Sequence, residues 1–316
     1  MPSGKARILS YQFLSLLTSI LFVTSLLSSH ARAVEPIRSQ PNNDFFQSYE
    51  VNSIMFKRTR DDDNASEINL SMRYYFRSVS EGDEKKMELL QFQPFFSYTG
   101  RFDFYWLGQN TRPSGPVISR FQNPALHFRR FDQTGWWDAA VEHISNGQPL
   151  DADKNRQLVL RAYQVQDRST MDSISRTAAT LALTLERNTE LPFRPFGLSN
   201  ELNVKWYAKR FGQEADVFWG PHANENLDFN DFQIARIQWK LKLEDGSTSG
   251  KRLPRQFFAE MNVGAKGLSE DSWNFGLICP IGVFPLAFAV HRGPMNNMSD
   301  YAKSQNSVAI GFAFSN

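Results

Sequence analysis

Side-chain character alternates with a period of two along segment after segment of this chain. Such alternation restricts a chain to strands with one apolar and one polar face. From Ile68 to Arg77 one parity holds Ile68, Leu70, Met72, Tyr74 and Phe76, and the other Asn69, Ser71, Arg73, Tyr75 and Arg77. Phe102, Phe104 and Trp106 oppose Arg101, Asp103 and Tyr105. Leu202, Val204, Trp206 and Ala208 oppose Asn203, Lys205, Tyr207 and Lys209. Ile237, Trp239, Leu241 and Leu243 oppose Arg236, Gln238, Lys240 and Lys242, and the chain closes on Val308, Ile310, Phe312 and Phe314.

Two architectures use such strands. A soluble sandwich shares its apolar faces as a core, whereas a membrane barrel turns them to lipid and lines its interior with the polar faces. Charges recur on the polar face of strand after strand, and aromatic residues reach 14%. The amino terminus adds a secretion signal: Lys5 and Arg7, an apolar run from Ile8 to Leu27, then Ala31-Arg32-Ala33 as a small-residue cleavage site. The expectation is a signal peptide over 1–33, a short polar lead-in over Val34–Asn43, and one all-β domain to residue 316. That domain is a transmembrane antiparallel β-barrel, because backbone groups in lipid must all be paired. Turns and loops are expected at Asp61-Asp62-Asp63-Asn64, Gly82–Lys86 and Asp245-Gly246-Ser247, where charged residues are solvated. Eleven to thirteen strands can be counted, and the even-number preference of bacterial barrels selects about twelve.

The formal charge of +2 loses Lys5, Arg7 and Arg32 with the leader, leaving −1 and no electrostatic case for nucleic acid. The one cysteine, Cys279, forms no internal disulfide.

Chemistry concentrates in Trp136–Arg156. Trp137, Ala139, Val141, His143 and Ser145 share one parity, so a strand with its apolar side to lipid carries His143 and Ser145 on that side. Polar groups there are costly, which makes the pair unexpected as mere filler. An imidazole two residues from a hydroxyl is the minimum equipment for nucleophilic acyl transfer. Asn155 is the candidate to orient the imidazole, with Asp151 and Asp153 as rivals. Leu158, Leu160 and Ala162 predict that a further strand begins near Asn155, which then has the inward parity and needs a bulge to turn outward. Read as an ordinary turn residue, Asn155 has no role at all. Gly147 offers a backbone N–H to an oxyanion, or is simply a turn glycine.

His143-Ile144-Ser145-Asn146-Gly147 with Asn155-Arg156 resembles the active-site region of the outer-membrane phospholipase A family. Ser97-Tyr98-Thr99, Tyr105-Trp106-Leu107, Pro113-Ser114-Gly115-Pro116 and Phe121-Gln122-Asn123-Pro124 extend the likeness, which covers about Ile68 to Arg161. The resemblance implies a twelve-stranded barrel with Ser145 as nucleophile, His143 as general base and Asn155 as its partner. It further implies a phospholipid substrate, an active homodimer in the bacterial outer membrane, and calcium helping Gly147 hold the oxyanion. Calcium positions carried over are the Gln148 backbone oxygen and Asp151, with Ser114 or Gly115 from the second copy. The sequence departs from the family there: the loop before Asn155 is about two residues short, Gln148 replaces a usual arginine, and the last residue is Asn316 rather than an aromatic.

Two rival readings remain. Lipid A deacylases share a His-x-Ser-Asn signature on a barrel exterior, over few residues and in a shorter barrel. A porin-like or structural barrel would carry the pair incidentally, with Arg73, Lys205 and Lys240 lining a channel or joined in a salt-bridged network. His127, His222 and His291 have no companions at metal-ligand spacing.

Overall fold

The computed structural model describes residues 46–59, 64–76, 92–107, 117–132, 134–151, 154–165, 167–190, 196–208, 221–222, 225–226, 234–245, 255–264, 271–281, 284–294 and 304–314. The expectations for the leader, the lead-in Val34–Asn43, the charged runs 61–63 and 82–86, Ser114, Gly115 and Asp153 lie outside these residues.

Twelve long strands run in chain order among them: β1 (Asn52–Thr59), β2 (Asn64–Tyr75), β3 (Gln93–Leu107), β4 (Val117–Phe131), β5 (Gly135–Ser145), β6 (Thr177–Glu190), β7 (Phe196–Ala208), β8 (Ala235–Asp245), β9 (Arg255–Val263), β10 (Ser272–Ile281), β11 (Phe284–Gly293) and β12 (Gln305–Phe314). Each pairs antiparallel with its successor, and β12 returns to β1 with Phe314 opposite Asn52 and Ser307 opposite Thr59. Closure leaves no strand edge unpaired. A two-residue strand, Phe46–Gln47, adds to β2 at Tyr74 and Arg73.

The period-two pattern resolves into outside and inside as expected. Many outward residues are exposed, Val141 at 56%, Leu181 at 53% and Ile310 at 56%, whereas outward Val204, Ile237 and Met261 form a buried apolar cluster, and inward Asp103, Asp138 and Glu142 are at most 2% exposed. An apolar exterior of this extent is unfavourable in water and favourable in hydrocarbon. No helix among the described residues is long and apolar enough to cross a membrane.

Inward charges neutralise one another. Lys205 meets Glu142 at 2.9 Å, Lys240 and Lys242 both meet Glu201 at 3.0 Å, and Lys57 meets Glu67 at 3.2 Å. Lys205 and Lys240 therefore belong to a salt-bridged network, and the Arg73 guanidinium lies 5.2 Å from the centre of the Tyr75 ring. Phe258 packs inward over Gly276 so closely that a side chain at position 276 would meet the ring.

Strand β5 ends at the rim opposite the one where β1 starts and β12 ends. Between β5 and β6 the chain leaves the wall at residues 146–176, an excursion containing helices α1 (Arg156–Val165) and α2 (Arg168–Asp172). This corrects the strand expected after Asn155. Leu158, Leu160 and Ala162 alternate, but Val159, Ala162 and Tyr163 are the buried residues, at helical spacing. Short segments satisfy both periods, and strand β6 begins only at Thr177.

Candidate active site

Strand β5 carries Trp137, Ala139, Val141, His143 and Ser145 outward and Asp138, Ala140, Glu142 and Ile144 inward. His143 is exposed on the outer wall and Ser145 half-buried there. Same-face neighbours on one strand are about 7 Å apart, so proton exchange requires the imidazole to lean along the wall. The space for this is visible in the register: small Ala179 of β6 faces His143, and Thr177 faces Ser145. His143 Nε2 lies 3.3 Å from Thr177 Oγ1. Sequence reasoning missed Thr177, because only strand register brings it to the site. On the other flank Gln122 of β4 faces Ser145.

Asn146 anchors the segment just beyond Ser145. Its side chain is fully buried, donating from Nδ2 to Ile174 O at 2.7 Å and accepting from Arg176 N at 2.8 Å. Asn146 N also donates to Arg176 O at 3.1 Å. Leu150 and Ser173 to Ser175 exchange further backbone bonds, and Arg176 donates to the Tyr163 hydroxyl at 2.8 Å, tying α1 to the neck of the excursion. Gly147 then turns with φ of 61°, a left-handed conformation open to glycine at little cost. The Gln122 side chain lies where a β-carbon would project from Gly147.

Asn155 sits at the start of α1, donating from Nδ2 to Asp151 O at 2.8 Å, while its carbonyl accepts from Val159 N at 3.0 Å. The structure thus brings His143, Ser145 and Thr177 together and holds Asn155 on Asp151, with no hydrogen bond from Asn155 to His143 among the described residues. The bulge expected to turn Asn155 outward is unnecessary, since it belongs to a helix start. Asp151 Oδ2 pairs with Lys154 Nζ at 3.2 Å, and Gln148 Nε2 donates to Asn146 O at 3.5 Å. Among the described residues no three His, Cys, Asp or Glu side chains converge as a metal site. The Gln148 carbonyl and Asp151 carboxylate are nevertheless oxygens of the kind a hard cation takes, and the exposed Lys154 ion pair is cheap to displace.

A second constellation lies inside the barrel. His127 Nδ1 is 3.1 Å from Asp138 Oδ2 and His127 Nε2 is 2.8 Å from Ser97 Oγ, with Arg129 donating to Asp138 at 3.0 Å. The Phe95 ring stacks on His127 at 4.3 Å and Tyr49 covers it at 4.9 Å. Ser97, His127 and Asp138 are each only 1% exposed. At that burial an ester cannot reach them, and they read as a buried structural polar network.

No family model and no curated sequence matches the chain. Solved structures do. Outer membrane phospholipase A from Escherichia coli, as an active-site mutant, aligns over 88% of this chain and 94% of its own at 15% identity and TM-score 0.56. The fold is that of outer-membrane phospholipase A. A second structure of the Escherichia coli protein aligns over 86% and 98% at 15% identity and the same TM-score. The Salmonella typhi phospholipase, described as a dimer with bound calcium, aligns over 87% and 94% at 13% identity and TM-score 0.54.

Proposed function

We propose that this protein is an outer-membrane phospholipase A that hydrolyses acyl esters of glycerophospholipids at Ser145. The observation that carries the reading is an imidazole and a hydroxyl on the lipid-facing wall, at the end of β5, where a membrane lipid can approach sideways. The signal peptide expected over 1–33 supports delivery to that membrane.

Ser145 Oγ attacks the acyl carbonyl while His143 Nε2 takes the hydroxyl proton. The carbonyl oxygen becomes an oxyanion beside the Gly147 backbone N–H. Collapse of the tetrahedral intermediate expels the lysophospholipid alkoxide, which receives the proton from His143, and leaves an acyl ester on Ser145. Water, deprotonated by His143, attacks that ester; the acyl–Oγ bond breaks, His143 returns the proton to Ser145 Oγ, and the fatty acid is released. Asn155, its Nδ2 fixed on the Asp151 carbonyl, would fix the tautomer by accepting from imidazole Nδ1–H at Oδ1 once the ring and the start of α1 approach each other. The Gln148 carbonyl and the Asp151 carboxylate would hold calcium, with Ser114 or Gly115 supplied by a second copy in a homodimer. Bound there, calcium supplies positive charge beside the developing oxyanion.

The test is fatty-acid release by the purified protein in detergent with calcium. Ser145→Ala and His143→Ala each lose at least about a hundredfold in turnover, a chelator lowers the wild-type rate, and Ser97→Ala leaves it unchanged. Undiminished turnover by Ser145→Ala overturns the assignment. Release from lipid A but not from phospholipid redirects it to a lipid A deacylase.

A further inference from the structure

We infer that Thr177 is a positioning residue that competes with Ser145 for the Nε2 atom of His143, so that the resting site holds its base on the wrong hydroxyl. This rests on the reading of His143 as general base. The two hydroxyls face each other across the β5–β6 pair, and partners in such a pair stand about 5 Å apart. Both therefore lie within the sweep of one imidazole. Among the described contacts Nε2 meets Thr177 Oγ1 at 3.3 Å, and none joins it to Ser145 Oγ. Ala179, opposite His143, leaves the space that lets the ring lean toward β6.

An unprotonated Nε2 has one lone pair. While the Thr177 hydroxyl donates to it, the base is unavailable to Ser145, and the nucleophile keeps its proton. Turnover therefore requires the ring to move from Thr177 to Ser145, and the rate scales with the fraction of sites whose ring has left Thr177. The groups around the ring do not supply another explanation. Val141, Ala179 and Thr177 carry no charge, and Glu142, the chain neighbour, points into the lumen onto Lys205 and Thr180. Lys154 and Asp151, on the excursion, pair with each other.

Thr177→Val keeps the shape and removes the hydroxyl, whereas Thr177→Ser keeps the hydroxyl. The loss of one hydrogen bond to a base shifts the partition by about two- to tenfold. Thr177→Val is therefore expected to raise kcat and the rate of Ser145 labelling by a fluorophosphonate about two- to tenfold with KM unchanged, and Thr177→Ser to follow the wild type. Nitrogen-15 histidine spectra in micelles provide a readout independent of turnover. Without the hydroxyl that donates to it, the Nε2 resonance of the neutral His143 ring moves downfield in Thr177→Val. An unchanged or lower kcat in Thr177→Val, or a His143 Nε2 resonance identical to wild type, overturns the inference. If the wild type neither hydrolyses phospholipid nor labels, the phospholipase reading falls, and the histidine spectrum still decides the Thr177 contact.

Discussion

At the scale of single residues, the site depends on positions that a sequence shows with unequal clarity. His143 and Ser145 are legible because parity alone puts them on the apolar side of a strand. Thr177 is not, because a cross-strand neighbour is defined by register, which the alternation of either strand leaves open. Asn155 is visible as a candidate, but its partner Asp151 O belongs to a helix start that periodicity does not reveal. His127 reads in the sequence as a bland strand residue, and it is held in a buried network with Ser97 and Asp138. Gly147 gives a residue-scale prediction. With φ of 61° and the Gln122 amide in the path of any β-carbon, Gly147→Ala strains the backbone by about 1–3 kcal/mol. On the proposed reading the strain falls on the N–H that would serve the oxyanion, so kcat is expected to drop about tenfold or more with little change in KM. Steady-state kinetics on mixed micelles checks this.

At the scale of elements, the strands announced themselves and the helices did not. A strand of ten or more residues repeats its period about five times, so chance agreement is rare. Helix α1 has ten residues and three buried positions, too few to separate one period from the other. The turn between β4 and β5 makes a test at this level. Asp132 accepts from the backbone N–H groups of Thr134 and Gly135 and from the Thr134 hydroxyl, and Arg187 lies 3.1 Å away. Partial burial alone would raise its carboxyl, but these donors and the guanidinium outweigh it and hold the group below the usual carboxylate range. A depressed value means the turn gains stability above the unfolded value of about 3.9 and loses it as the pH falls through the folded one. Asp132→Asn should therefore flatten the fall in barrel stability below about pH 4, measured as unfolding midpoints in urea across pH.

At the scale of the whole molecule, closure explains both the exterior and the interior. The even strand count and the outward aliphatic belt follow from the sequence, but the way the lumen charges pair does not, because several pairs join residues far apart in the chain. Lys205 reaches Glu142 from a residue separation of 63, and Lys242 reaches Glu186 from 56. Glu142→Ala leaves Lys205 buried without its carboxylate, and breaking a buried pair costs about 3–5 kcal/mol. The barrel should then unfold at lower temperature, seen as an earlier shift in gel mobility on heating. The same pairing of inward charges predicts conductance in planar bilayers far below that of a porin, and a porin-like conductance would favour the channel alternative. The clasp formed by Asn146 and Arg176 has a separate consequence. Because it fastens the chain immediately beyond Ser145, everything from Gly147 to Ser175 hangs from a closed neck. On the calcium reading proposed above, a change confined to the Gln148–Asp151 stretch would alter ion affinity while the clasp keeps the end of β5 in place.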